Sequence, residues 1–273
     1  MNEAQRVLVR GAAVTGHFLV ETRTPGPGWV PYLTAVTPEG LERLLGYVRQ
    51  AVPGASDTVA AALFASSVCG ALAAPLTGAL LTERRVAIPD PAGLWLRPSF
   101  TGVDAIAVGG VGLTVLGDDP LAAAPGALGG AGALEVATVA SLDELRRAAL
   151  EGYRGVLVPL LDAVAASTRR GRRALWADAG DRLATYLLLA GRALGNDRAG
   201  RDEADALLAL AEPPLRHEPA WLEFEHRGRL VHWKRRPVCC LVYQAPTFAG
   251  QYCATCPLVP ESETVERTRA WLG

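Results

Sequence analysis

The sequence DTVAAALFASSVCGALAAPLTGALLTE, residues 57–83, carries no charge between its first and last residues. Its length would allow a helix to cross a bilayer. Many of its residues are alanine and others are polar or small, so the hydrophobic gain per residue is low. Ser56 and Asp57 form a good N-cap and first turn, and Pro75 is expected to end or kink the helix. We therefore predict a buried helix of a soluble domain and no transmembrane span.

The segments before this helix mix extended and helical patterns. Residues 12–21 and 29–36 are predicted to be extended, since a proline- and glycine-rich turn separates two short apolar runs. Thr37, Pro38 and Glu39 are predicted to open a helix, because Leu41, Leu44, Leu45 and Val48 then recur on one helical face.

Strands and then a low-complexity stretch are predicted after the helix. Residues 94–100 and 104–110 have the pattern of strands around a turn at Gly102. The sequence GDDPLAAAPGALGGAGAL, residues 117–134, is rich in glycine, alanine and proline and has no periodicity. We predict that it is a linker or flexible loop between two lobes.

The remainder of the chain is predicted to be mainly helical. Its predicted elements are a helix from a capping box at Ser141 and Glu144 towards Ala166, helices at 174–194 and 202–210, a β-hairpin at 221–236 and a helix at 261–272. The expected fold is therefore α+β and predominantly helical. A mixed α/β N-terminal lobe covers 1–135, and a helical lobe covers 136–273 and ends in the hairpin and a cysteine loop at about 234–258.

The composition excludes some classes of function. The 273 residues have a net charge of -1, and 26 of the 27 basic residues are arginines dispersed along the chain, Lys234 being the exception. This dispersion argues against a nucleic-acid partner, and the preference for arginine over lysine indicates a GC-rich bacterial genome. The N-terminus lacks a secretory signal pattern. We expect a cytoplasmic protein, in which clustered cysteines bind metal more often than they form disulfides.

Four of the five cysteines lie within eighteen residues, at Cys239, Cys240, Cys253 and Cys256. The Cys253-x-x-Cys256 step lets two thiolates turn towards one metal, and a structural zinc site is one interpretation. Adjacent cysteines in a strand would point to opposite sides, so the chain must turn at Cys239-Cys240. This arrangement suits a [2Fe-2S] cluster better than a single zinc ion, because two irons together take four thiolates.

The segment KRRPVCCLVY at 234–243, followed by YCATCPL at 252–258, resembles the C-terminal signature of the FhuF-type ferric-siderophore reductases. The resemblance extends to 156–161 and 172–176, in the helical region before the cysteines. It implies that Cys239, Cys240, Cys253 and Cys256 bind a [2Fe-2S] cluster in a cytoplasmic oxidoreductase. It also implies that the substrate is a ferric hydroxamate or catecholate siderophore.

The reaction implied by this resemblance is a one-electron reduction of siderophore-bound Fe(III), which releases Fe(II). No glycine-rich dinucleotide motif is complete, so we expect a separate electron donor such as a ferredoxin or a flavin reductase. Lys234, Arg235 and Arg236 either raise the cluster potential and attract an anionic partner, or form the solvated end of a hairpin strand. The alternative functions are an iron-sulfur redox or iron sensor and a non-catalytic, zinc-stabilised binding module.

Several other residues are weaker candidates. Cys69 is expected to be a small buried side chain within its helix. His226 and His232 are expected at the surface of the hairpin rather than as Rieske-type ligands, and His217 in a loop. Residues of the N-terminal lobe that could line a siderophore pocket are Arg84, Arg85, Trp95 and Arg97.

Overall fold

The computed structural model of the chain describes residues 1–23, 25–100, 102–123, 136–248 and 250–273. It is 54% helical and 18% strand, so the fold is α+β and predominantly helical, as predicted. The helices of the described residues are α1 (Glu3–Thr15), α2 (Tyr32–Ala35), α3 (Pro38–Ala51), α4 (Asp57–Glu83), α5 (Leu142–Ser167), α6 (Arg172–Ala193), α7 (Asp197–Ala209) and α8 (Glu261–Leu272). The strands are β1 (Leu19–Glu21), β2 (Val30–Pro31), β3 (Arg85–Pro89), β4 (Leu94–Ser99), β5 (Gly102–Val108), β6 (Val111–Leu116), β7 (Val136–Val139), β8 (Ala220–His226) and β9 (Arg229–Arg235).

The alanine-rich helix α4 lies at the centre of the core. Helices α1, α3, α5 and α6 pack against it, as do β3 and β5. By length and composition α4 is the one helix of the described residues that could cross a membrane, and 89% of its most apolar window is buried within the protein. Its small side chains explain this position, because they let several elements approach one helix closely.

Helix α4 does not end at Pro75 but continues to Glu83. The side chain of Ser56 accepts a hydrogen bond from the backbone N–H of Val59, which confirms the predicted N-cap. An interior proline removes one helical hydrogen bond and costs about 3 kcal/mol. Burial of nearly every α4 residue outweighs that cost, so tertiary packing overrides the local signal.

Helices α1 and α4 touch through glycine. A Cβ atom on Gly78 would overlap the carbonyl oxygen of Gly11, and one on Gly11 would overlap the carbonyl oxygen of Pro75. The backbones of the two helices therefore approach to a distance that only glycine permits at these positions.

The variant Gly78→Val should lower the free energy of unfolding by more than about 2 kcal/mol, because the added carbons must push α1 away from α4. The matched control is Gly155→Ala in α5, where an added Cβ meets no atom within 4 Å. That control should be neutral or stabilising by up to about 1 kcal/mol. Urea unfolding followed by circular dichroism measures both values, and equal stabilities would contradict the close approach.

The first predicted strand is wrong over residues 12–15, which belong to α1. Asn2 and Gln5 form a capping box at the start of α1. The buried residues of the helix recur with the helical period at Ala4, Val7, Leu8, Gly11 and Ala12. Residues 29–36 are extended only at β2, after which the chain turns into the short helix α2.

Two small sheets lie beside the helices. One has the order β1-β5-β4-β2, and it includes the strands predicted at 94–100 and 104–110. The other has the order β3-β6-β7, and sequence analysis did not predict its strands. Strand β7 pairs with β6 in parallel, from Leu113 opposite Val136 to Leu116 opposite Val139.

The predicted linker at 117–134 lies largely outside the described residues, which stop at 123 and resume at 136. Residues on both sides of it contribute to the same hydrophobic core, from Ala4 to Leu215. Helix α5 packs against β3 and β6 as well as against α4 and α6. The division of the chain at residue 135 stays a prediction.

The predicted elements of the second half are present. Ser141 caps α5, which runs through Pro159. Helix α7 begins earlier than predicted, because the side chain of Asn196 accepts a hydrogen bond from the N–H of Ala199. The hairpin β8–β9 turns at Arg227 and Gly228, which both have positive φ, as the right-handed twist of a hairpin favours.

Candidate metal centre

The hairpin delivers the chain into the cysteine loop. Strand β9 ends at Arg235, and the backbone N–H of Arg236 donates to the carbonyl of Thr255 at 3.0 Å, which joins the two halves of the loop. Leu241 has a φ of 63°, a left-handed conformation that turns the chain directly after Cys240. Its N–H lies 3.3 Å from the sulfur of Cys239. The turn expected at the double cysteine is therefore present.

Two of the four cysteines of the loop are in direct contact. The sulfur atoms of Cys239 and Cys256 are 3.8 Å apart. Cys240 and Cys256 are buried, whereas Cys239 and Cys253 are half-buried. In the described part of the chain, no group of three or more cysteine, histidine or acidic side chains is arranged so that it could hold a metal ion. The contact between Cys239 and Cys256 is therefore the part of a thiolate site that the geometry of the loop provides.

Cys240 and Cys253 influence each other's pKa. The interaction with Cys253 lowers the pKa of the Cys240 thiol to about 5 against the effect of burial, and Arg236 lowers it further. The same interaction raises the pKa of Cys253. Burial raises the pKa of Cys239 to about 11. The lowered pKa favours the thiolate form of Cys240, the form that binds metal.

Two arginines fix the backbone of the loop. Arg170, which precedes α6 and is buried, donates from Nη2 to the carbonyl oxygen of Cys239 at 2.9 Å. Arg235 donates from Nη2 to the carbonyl oxygens of Pro257 and Val259, at 3.0 and 2.7 Å. Both ends of the cysteine loop are therefore held by charged hydrogen bonds, which are stronger than neutral ones.

The basic run before the cysteines is not solvated. Lys234 is buried and pairs with Asp181 of α6. Arg236 pairs with Asp178 of the same helix, with 2.6 Å between Nη2 and Oδ1. The interpretation of these residues as the exposed end of a strand is therefore wrong. Lys234 and Arg236 attach the loop to α6 through buried ion pairs.

A second arginine shares Asp178. Burial opposes ionisation of this carboxyl, but Arg182 and Arg236 outweigh it and hold its pKa well below its usual range. Nε of Arg182 is 3.7 Å from Asp178, and its Nη2 contacts the hydroxyl of Ser66 on α4. Burial lowers the pKa of Lys234, and Asp181 opposes that shift. The base of the cysteine loop thus carries compensated charge in a buried environment.

Sequence analysis missed Arg170, Asp178 and Asp181. The sequence does contain a local indication for the two aspartates. Both lie in α6, and most of their neighbours in that helix are buried. A carboxylate in such a helix requires a cationic partner.

The remaining candidates lie elsewhere. Cys69 is buried in α4, as predicted. His232 is buried rather than at the surface, and its ring contacts Arg201 and Glu223. His217 is in a loop, as predicted, with Nε2 3.8 Å from Asp181.

The arginines considered for an N-terminal siderophore pocket are paired with carboxylates. Arg84 contacts Glu203, Arg85 contacts Asp119, and Arg97 contacts Asp104, each at 2.8 or 2.9 Å. Arg85 on β3 and Arg97 on β4 also belong to different sheets.

Two comparisons with known proteins assign no family to the chain. Neither a scan against models of protein families nor a search of curated proteins finds a match for the chain. The chemistry of the site is therefore argued from its own residues.

Proposed function

We propose that the chain is a cytoplasmic [2Fe-2S] oxidoreductase that reduces ferric siderophore and releases Fe(II). The observation that carries this proposal is the turned double cysteine, which places Cys239 3.8 Å from Cys256. Two thiolates on one tetrahedral metal, each with a bond of about 2.3 Å, lie about 3.8 Å apart. The donor set therefore fits a thiolate-bound metal without rearrangement of this pair.

The contact of Cys239 with Cys256 and the separate interaction of Cys240 with Cys253 favour two metal ions over one. A [2Fe-2S] cluster takes two thiolates on each iron. Cys239 and Cys256 would hold one iron, and Cys240 and Cys253 the other. A single zinc ion would instead require all four sulfurs at the same mutual spacing.

When bound, the cluster supplies one electron, which converts Fe(III) of the siderophore complex to Fe(II), and a reduced ferredoxin or flavin reductase replaces that electron. Hydroxamate and catecholate oxygens are hard ligands that hold Fe(II) more weakly than Fe(III), so reduction releases the iron. No proton transfer or nucleophile is required of the chain.

The residues around the loop have three tasks in this reaction. Arg170 and Arg235 fix the loop backbone. Arg236 places positive charge next to Cys240 and thereby favours the more negative, reduced state. Cys239 and Cys253 are half-buried, so one side of the site stays near solvent and an electron partner.

Anaerobic single turnover tests this function. The purified holoprotein is reduced with dithionite, freed of excess reductant and mixed with a ferric siderophore in the presence of an Fe(II) trap. We expect one trapped Fe(II) per cluster, together with reoxidation of the visible spectrum. A cluster that stays reduced and forms no Fe(II) would support the sensor instead, and a colourless zinc protein would support the binding module.

A further inference from the structure

A cavity of about 310 Å³ lies at the turn of the hairpin β8–β9. Its walls come from the end of α6, the start of α7, the hairpin turn and the end of α8. Sites for small-molecule ligands have volumes of roughly 300–1,000 Å³. Strand β9 runs from Arg229 at the turn to Arg235 beside the cysteine loop, a length of about 20 Å at about 3.3 Å per residue. The cavity is therefore separate from the candidate metal centre.

Three arginines give this cavity a positive charge. Arg192, Arg227 and Arg229 line it, together with a single carboxylate, Asp197. That carboxylate already accepts a hydrogen bond from the backbone N–H of His232 at 3.0 Å and lies 3.6 Å from Nη2 of Arg192. Within the described residues, neither Arg227 nor Arg229 has a carboxylate oxygen within 4.0 Å of its guanidinium nitrogens. These two exposed arginines are therefore available to a bound anion.

Arg192 is held in place beside the other two arginines. Its guanidinium lies over the ring of Trp233, 4.5 Å from the ring centroid, and its Nη2 donates to the carbonyl oxygen of His232 at 2.8 Å. Nη1 of Arg192 and Nε2 of His226 are shielded from solvent and have no hydrogen-bond partner among the described residues. Burial lowers the pKa of Arg192, and Asp197 opposes this shift. An anion in the cavity would stabilise the charge of Arg192 and supply the missing acceptor.

The remaining walls of the cavity are apolar. Leu230, Val231 and Leu272 line it next to the arginines. Leu230 is 56% exposed, so its side chain contacts water in the unliganded protein. An apolar group on the ligand would remove this surface from water, which is favourable. The cavity therefore suits a ligand with an anionic end and an apolar body.

We propose that this cavity binds a phosphate monoester with an apolar body. A phosphate monoester carries a charge of about -1.5 to -2 at neutral pH and has three acceptor oxygens, which match several guanidinium groups at once. A carboxylate carries a single charge and offers two oxygens, so it satisfies fewer of the three arginines. A soluble ester and the headgroup of phosphatidate both present such a phosphate group.

Calorimetry of the purified holoprotein tests the ligand class, with phenyl phosphate as the probe. Phenyl phosphate should bind more tightly than benzoate by about tenfold or more, because it places more charge among the arginines, and its affinity should fall as salt is raised. Inorganic phosphate, which lacks the apolar body, should bind more weakly than phenyl phosphate. Absence of phenyl phosphate binding, or equal affinities for phenyl phosphate and benzoate, would overturn the proposal.

Variants locate the binding site. Arg227→Ala with Arg229→Ala should weaken phenyl phosphate binding by about tenfold or more, since two charge-assisted contacts are lost. The matched control is Arg6→Ala with Arg23→Ala, which removes two arginines that are 51% and 87% exposed outside the cavity and should change the affinity by less than about twofold. Leu230→Ser should weaken binding of phenyl phosphate by a few-fold and leave that of inorganic phosphate unchanged. Equal effects of the two double variants, with far-UV circular dichroism unchanged, would overturn the cavity assignment.

Vesicles distinguish the two sources of the phosphate group. The protein is sedimented with phosphatidylcholine vesicles that contain either phosphatidate, a monoester, or phosphatidylglycerol, an anionic diester. Selective binding to the phosphatidate vesicles that the Arg227→Ala, Arg229→Ala variant loses would assign the cavity to a lipid headgroup. Phenyl phosphate binding without vesicle binding would assign it to a soluble ester. Phenyl phosphate binding that the same variant retains in full would contradict both assignments.

Discussion

Cys256→Ser is expected to eliminate the bound iron, the visible absorption and the formation of Fe(II). Cys256 is buried and lies 3.8 Å from Cys239, so its loss leaves one iron with a single protein thiolate. Serine is a much poorer ligand for iron than thiolate, so a cluster held by the four cysteines would be lost as a whole. Iron analysis, the visible spectrum and Fe(II) trapping measure the three losses.

The matched control is Cys69→Ala, which removes the buried cysteine outside the loop. It should keep its iron and lose about 1–2 kcal/mol of unfolding free energy through a small cavity. Far-UV circular dichroism of Cys256→Ser shows whether the helices persist. Retention of the full iron content in a folded Cys256→Ser protein would contradict the ligand assignment.

Asp178→Asn is expected to cost about 3–5 kcal/mol of unfolding free energy. The substitution keeps the shape of the side chain but leaves the guanidinium groups of Arg236 and Arg182 without their shared anion. Breaking a buried ion pair by removing one partner is strongly destabilising, because an uncompensated charge remains buried. Urea unfolding of the holoprotein measures the loss.

The control is Asp104→Asn, which breaks the pair of Asp104 and Arg97 at a half-exposed position. An exposed pair contributes about 0–1 kcal/mol, so this variant should be close to wild type. A difference of less than about 1 kcal/mol between the two variants would show that the ion pairs at the base of the loop are not important for stability.

The ionisation of the Asp178 carboxyl group also makes the free energy of unfolding depend on pH. The pKa of Asp178 is lowered in the folded protein relative to the unfolded chain, so its ion pairs stabilise the fold above the unfolded pKa of about 3.9. That contribution is lost as pH falls through the folded pKa. The wild type should therefore lose stability on acidification in a range where Asp178→Asn does not, as unfolding curves between pH 7 and acid would show.

The sequence predicts most helices because their signals are local. The N-caps at Ser56 and Ser141 and the terminal helix are read from neighbouring residues. The continuation of α4 through Pro75 is not local, since burial against α1 and other elements decides it. Strands β3 and β7 have the same limitation: each is short and is defined by its pairing with β6.

The cysteines of the candidate site could be predicted, but their surroundings could not. Adjacent cysteines required a turn, and Leu241 provides it. The pairing of Lys234 with Asp181 and of Arg236 with Asp178 depends on how the hairpin packs against α6, which spacing along the chain does not define. For the same reason, the arginine-lined cavity at the hairpin turn joins segments that are distant in sequence.

The most direct test of the central claim is the metal and sulfide content of the protein purified anaerobically without added metal. A cluster bound by Cys239, Cys240, Cys253 and Cys256 predicts two irons and two acid-labile sulfides per chain, in a red-brown protein that gains one electron on reduction. One zinc ion per chain, with no sulfide and no colour, would contradict it.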